Sequence, residues 1–131
     1  MTELEKQIIT YLPFNIKVKI LNHKSDYVGI EYSTLNGFYF LNGKVHFTYE
    51  GGSTGKSTTE IKLILNPLSD LTKLITHEGD SFIPTVEYHS YSEHLEEIST
   101  LGYAYTKYLQ QKIFIILLEL HFDVFGLTEK D

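Results

Sequence analysis

The stretch EIKLILNPLSDLTKLI, residues 60–75, decides the fold class, because the spacing of its apolar residues changes along it from two to helical. Ile61, Leu63 and Leu65 alternate with Lys62, Ile64 and Asn66, the pattern of a strand with one face on a core. Pro67 ends that ladder. Ser69 or Asp70 is then placed to cap a short helix in which Leu71, Leu74 and Ile75 point the same way, so one segment anchors both a sheet and a helical layer.

On the N-terminal side, Thr2 and Glu5 match a capping box, and Leu4, Ile8 and Ile9 supply an apolar face for a helix to about residue 11, closed by Pro13. Ile16, Val18 and Ile20 alternate with Lys17 and Lys19, which predicts a first strand with a lysine face. Residues 22–26 read as a polar turn. Residues 27–32 and 38–41 read as strands, with Thr34, Asn36 and Gly37 as a turn between them. Asn42-Gly43 is the signature of a two-residue type I′ turn, which needs positive φ at both positions, and it joins 38–41 to 44–50 in a hairpin. A longer loop, 51–57, returns the chain to the strand ending at Asn66. Sequential strands with short turns imply an antiparallel meander.

On the C-terminal side, Glu78, Gly79 and Asp80 mark a turn, and Pro84 limits 82–88 to an edge strand or an extended crossing. Ser92 is placed to cap a long helix in which Leu95, Ile98, Tyr105, Leu109, Ile113, Ile116, Leu117 and Leu120 share a face, with Gly102 as a break or kink. Residues 113–118 are apolar nearly all round and are expected to be buried on several sides across the sheet. Gly126 fits a Schellman stop in which Leu127 packs back on Phe122. The expected fold is α+β, a single domain over residues 1–131: an antiparallel meander sheet of four or five strands packed against a long C-terminal helix, with short N-terminal and central helices.

At 131 residues the chain suits one hydrophobic core, and a hydrophobic content of 42% excludes a disordered class. Its longest unbroken apolar run, 113–118, falls far short of the ~20 residues of a bilayer helix, and the opening MTELEKQ is acidic where a secretion signal is basic and then apolar. Those features predict a cytoplasmic protein with no membrane partner. Cysteine is absent, so there is no disulfide framework, thiolate metal site or thiol nucleophile. Arginine is absent too: 11 lysines face 17 acidic residues for a net charge of −6, which argues against direct nucleic-acid binding.

Four features invite a chemical reading. GGSTGKST, residues 51–58, carries the Gly-Lys-Ser tail of a phosphate loop, but Glu50 stands where the first glycine belongs, and TTEIKLIL continues as a strand where a helix is required. It is expected to be a hairpin loop. His89, Glu93, His94 and Glu97 are candidate metal ligands; Glu93 and Glu97 share a helical face, whereas the histidines are five apart and match neither H-E-x-x-H nor a zinc finger. His121 and Asp123 close the long helix and read as packing and dipole partners, with no nucleophile beside them. No catalytic residue, cofactor or bound metal is predicted. Of the ten tyrosines, most suit core edges, while Tyr88, Tyr91, Tyr103 and Tyr108 form a candidate interaction surface near the start of the long helix.

Two blocks, NPLSDLTKLITHEGDSFIP at 66–84 and LLELHFDVFGLTEK at 117–130, resemble segments of a group of small uncharacterised proteins encoded in bacterial phages and prophages. In that group a Pro-Leu-Ser-Asp-Leu motif precedes a Gly and a Phe-x-Pro, and a His-Phe-Asp-x-Phe-Gly-Leu ending closes the chain. The TYLPFNIKVKI segment, 10–20, is more weakly similar, and together the blocks span about a third of the chain. The resemblance implies a phage or prophage setting in a bacterial host and transfers no site. Missing catalytic geometry, the acidic excess and the aromatic surplus lead to the expected function, a non-enzymatic accessory protein of phage type acting by protein–protein interaction, with a homodimer compatible. The alternative is a small-ligand or metal-dependent enzyme using the His/Glu cluster or His121. A DNA-mimicking carboxylate ridge ranks last, because the acidic residues are dispersed.

Overall fold

A computed structural model describes residues 1–21, 31–52, 54–102 and 109–128. It is α+β, and its contacts group the chain into two compact units, Met1–Ile64 and Leu65–Asp131.

The first unit opens with α1 (Glu3–Tyr11), whose capping box forms as its residue types require: Glu5 N–H donates to Thr2 Oγ1 at 3.1 Å and Thr2 N–H to Glu5 Oε1 at 2.7 Å. A 3-10 turn over Leu12–Phe14 carries Pro13, and Asn15 reverses the chain at φ 54°. Among the described residues four strands follow: β1 (Lys17–Ile20), β2 (Tyr32–Leu41), β3 (Lys44–Tyr49) and β4 (Ile61–Leu63). Inward residues alternate as expected, with Val18, Ile20, Ile61 and Leu63 buried and Lys62 exposed. Asn42 and Gly43 both take positive φ, 53° and 75°, and bring Leu41 opposite Lys44.

Two expectations change here. The Thr34, Asn36, Gly37 turn is a β-bulge within one ten-residue strand: Leu35 faces Tyr49 and Gly37 faces Thr48, so Asn36 is the extra residue, its side chain accepting from Thr48 Oγ1 at 2.6 Å. Nor is the sheet a simple meander. All neighbours are antiparallel, but the order is β3-β2-β1-β4, so three sequential strands are followed by one that crosses back to pair with the first, a Greek key. The crossing segment touches both outer edges. Lys56 exchanges backbone hydrogen bonds with Phe47 of β3 at 2.7 and 2.8 Å, and Ile61, five residues on, lies opposite Ile20 of β1. A sheet whose two edges are bridged over so short a span is curled.

In the second unit, Pro67 leads into a 3-10 turn over Leu68–Thr72 that buries Leu68 and Leu71 and packs on the helix over Ser92–Leu101. Neither Ser69 nor Asp70 caps it, and the expected helix stops early: Lys73 is already extended, Leu74 points outward at 68% exposure, and Ile75 begins a strand. β5 (Ile75–His77) and β6 (Asp80–Phe82) form a separate hairpin around Glu78-Gly79, both at positive φ. The expected edge strand at 82–88 divides into β6 and a one-turn helix, α2 (Pro84–Glu87), in whose first position proline's missing N–H costs nothing.

The long C-terminal helix is not formed. α3 (Ser92–Leu101) ends at Gly102, whose φ of 76° and ψ of −165° lie outside helical space, and the last helix, α4 (Gln111–Glu119), is nine residues long. Tyr105 lies outside the described residues. Ser92 is the first residue of α3 and makes no capping hydrogen bond. α3 turns Leu95 and Ile98 inward and packs on the 68–72 turn. In α4, Ile113, Leu117 and Leu118 are buried whereas Ile115 is exposed, so the apolar run is not covered all round. The Schellman stop occurs five residues before Gly126. His121 takes the left-handed position at φ 61°, its N–H donating to the Leu118 carbonyl and that of Phe122 to the Leu117 carbonyl. The accompanying apolar contact of such a stop falls to Phe122 and Leu117, both fully buried.

Candidate functional site

The hairpin of β2 and β3 is the most unusual surface. Directly opposed residues share a face, so Phe38 and Phe40 lie on the side of Phe47 and Val45, while Tyr39 and Leu41 lie on the other. Val45 and Phe47 are buried, but Phe38, Tyr39, Phe40 and Leu41 remain 39%, 42%, 60% and 51% exposed. Phe38 and Phe40 meet edge to face at 5.9 Å, and Tyr39 stacks on His46 at 5.3 Å, so the strip is internally ordered. Tyr32, at the other end of β2, is also exposed. Sequence reading placed 38–41 in a strand but had no signal for its exposure, because alternation reports a period and not what covers a face.

The phosphate-loop resemblance has a packing explanation. A Cβ on Gly52 would lie 2.4 Å from the Tyr49 ring, and one on Gly55 would lie 2.5 Å from Tyr39 Oη, so these glycines make room for tyrosines. Lys56 is buried, its backbone holds the edge of β3, and Ser57 donates from N–H and Oγ to Glu60 Oε1. β4 follows, not a helix.

His89 lies in a 3-10 turn over His89–Tyr91, and Glu93, His94 and Glu97 lie on α3; all four are exposed. An open groove of about 600 Å³ beside them is lined by Glu93, Glu96, Glu97, Thr100 and Leu101 and includes neither histidine. Among the described residues, no three His, Asp or Glu side chains are placed to hold one metal ion. Tyr88 and Tyr91 are half-buried; Tyr103 and Tyr108 lie outside the described residues.

A cleft of about 460 Å³ that sequence reading missed gathers His77 and Asp80 from the β5–β6 hairpin, Glu87 and Tyr88 from the end of α2, and Glu119 from α4. The left-handed turn at His121 sets its ring edge-on to His77 at 4.9 Å, and His77 Nε2 lies 3.9 Å from Glu78 Oε1. Burial, helped by the charges of Glu119 and Glu87, pushes the Tyr88 phenol above its ordinary value. Ser81, also on the cleft, shares its hydroxyl with Thr76 at 2.9 Å. Asp123 is committed: its carboxylate accepts from the N–H groups of Leu127 and Thr128 and from Thr128 Oγ1, at 2.6 to 2.9 Å.

Among the described residues, no helix is long and apolar enough to cross a membrane. No family model matches the chain, and neither a curated protein nor a solved structure matches it.

Proposed function

We propose that this chain is a non-enzymatic binding protein that engages another protein through the aromatic strip of its β2–β3 hairpin. The carrying observation is the exposure of four consecutive large apolar residues at one end of β2, Phe38 and Phe40 on one face and Tyr39 and Leu41 on the other. Scattered exposed apolar residues are ordinary, whereas an exposed pair of aromatic rings in contact on one face, as Phe38 and Phe40 are, supports an interaction surface. The strip replaces the tyrosine cluster near α3 as the leading surface, because Tyr88 and Tyr91 are half-buried. The resemblance to phage and prophage proteins supports a bacterial host or phage protein as partner, and a cytoplasmic setting goes with it.

The test is capture from a bacterial lysate by the immobilised chain and by its Phe38→Ser/Phe40→Ser variant, read by quantitative mass spectrometry. A protein retained by the first and lost by the second is expected. Identical captured sets would overturn the proposal.

A further inference from the structure

Among the described residues, the strip also forms a stretch of sheet edge that no third strand pairs. On β3, the outward backbone groups are occupied: Val45 N–H donates to Glu5 Oε2 at 2.9 Å, and Phe47 exchanges two hydrogen bonds with Lys56. Because Val45 and Phe47 turn these groups away from β2, their partners Phe40 and Phe38 must turn theirs away from β3, as the antiparallel ladder alternates. They face the side where β1 would continue, but β1 pairs with β2 only over Tyr32 to Thr34, and its last bond there runs from Leu35 N–H to the Ile16 carbonyl. Among the described residues, the backbone of Phe38 and Phe40 meets no third strand. Among the described residues, one edge is thus covered by a carboxylate and a bridging residue, whereas the backbone beneath the rings of Phe38 and Phe40 is left without a pairing strand, the 12–14 turn being the element that approaches β2 on that side. Open edges of this kind are normally blunted by charge, proline or a bulge.

We infer, building on the binding role proposed above, that the partner enters as an extended peptide segment that adds a strand to β2 along Phe38–Leu41. Two observations select this occupant over a second copy of the chain. The exposed parts of the four side chains amount to something on the order of 350 Å², well short of the ~800 Å² per partner of a standard stable interface. A strip one strand wide fits one added strand, whose affinity comes from main-chain hydrogen bonds and whose specificity comes from alternate side chains. Charge points the same way. Tyr32 to Tyr49 contains no carboxylate and carries Lys44 and His46, while the whole chain has a net charge of −6. Two copies repel, whereas an acidic residue in the added segment finds Lys44 near the turn. The ligand is a segment with aromatic or β-branched residues at alternate positions and an acidic residue at the end nearest Asn42-Gly43.

The probe is a displayed library of random twelve-residue peptides, selected on the full chain and resynthesised for affinity measurement against Phe40→Ala and Phe40→Pro. Both variants lose the ring; only proline also removes the outward N–H, which β3 does not use. Strand addition predicts that Phe40→Pro binds roughly tenfold or more weakly than Phe40→Ala. Peptides N-methylated at alternate residues give an independent readout that needs no variant to fold: one alternate set loses binding and the other keeps it. Equal affinities for the two variants, with binding abolished by Phe38→Ser/Phe40→Ser and indifferent to N-methylation, would overturn strand addition and leave the binding role standing. Failure to enrich any peptide would overturn it too. A dimer of the free chain by sedimentation, dissociated by Phe40→Pro, would transfer the edge to a second copy.

Discussion

Alanine at Gly52 and alanine at Gly55 test how the glycine-rich return loop is held, because the same added carbon meets a fixed ring in one case and a movable ring in the other. At Gly52 a Cβ lies 2.4 Å from two atoms of the Tyr49 ring, and Tyr49 is only 3% exposed, so neither side can yield cheaply. Overpacking of this sort costs about 1–3 kcal/mol. Restricting the unfolded chain returns about 0.4–1 kcal/mol, leaving a net loss of about 1–2. At Gly55 the clash is with the phenol end of Tyr39, 2.5 Å away, and that residue is 42% exposed and free to swing into solvent. Swinging out forfeits its stack on His46, worth about 0.5–1.5 kcal/mol, which the same unfolded-state gain nearly offsets. Urea unfolding followed by circular dichroism reads both variants. With an m-value of about 2 kcal/mol/M, Gly52→Ala lowers the midpoint by roughly 0.5–1 M and Gly55→Ala by less than about 0.3 M. Adding Tyr39→Ala should cost the Gly55→Ala chain almost nothing further and should not rescue Gly52→Ala. Equal losses at the two glycines would refute the account of the loop as a bed for tyrosines.

Three further outcomes are expected. Phe40→Ser leaves the urea midpoint nearly unchanged, because the side chain is already 60% exposed, whereas Phe47→Ala on the same face costs about 3–5 kcal/mol. The N–H groups of Thr2 and Val45 hold the Glu5 carboxyl below its ordinary value of 4.5, against the opposing effect of burial. A depressed carboxyl pKa stabilises the fold above the unfolded-state value and loses that contribution as pH falls through the folded value; Glu5→Gln should therefore flatten the acid limb of a stability–pH profile. In a spectrophotometric titration, Tyr88 should ionise above the ordinary value of 10, and Glu119→Gln should bring it down by removing a neighbouring negative charge.

Local chemistry was legible in the sequence wherever a residue type has one mechanical use. The Thr2–Glu5 box, the Asn42-Gly43 turn, the alternation at Ile61 and Leu63 and the break at Gly102 all stand where their types require. What the sequence concealed depends on partners distant along the chain. Asn36 and Gly37 carry turn chemistry equally compatible with a bulge, and only the pairing of Leu35 with Tyr49 decides between them. Gly126 advertises a helix stop that His121 performs instead, at a point where Phe122 and Leu117 are both buried. The exposed strip and the His77 cleft were invisible for the same reason. Each is defined by which backbone stretches stop short of it.

The bridge at Lys56 bears on how the first unit assembles. Val18 and Leu63 are neighbours in the sheet although roughly 45 positions separate them, a distant contact of the sort that slows folding. Once β1, β2 and β3 are paired and Lys56 has latched to Phe47, only residues 57–60 are left slack before Ile61 reaches Ile20. The entropic toll of a large ring is thereby divided into several small ones, with the final seam closing over a tether four residues long.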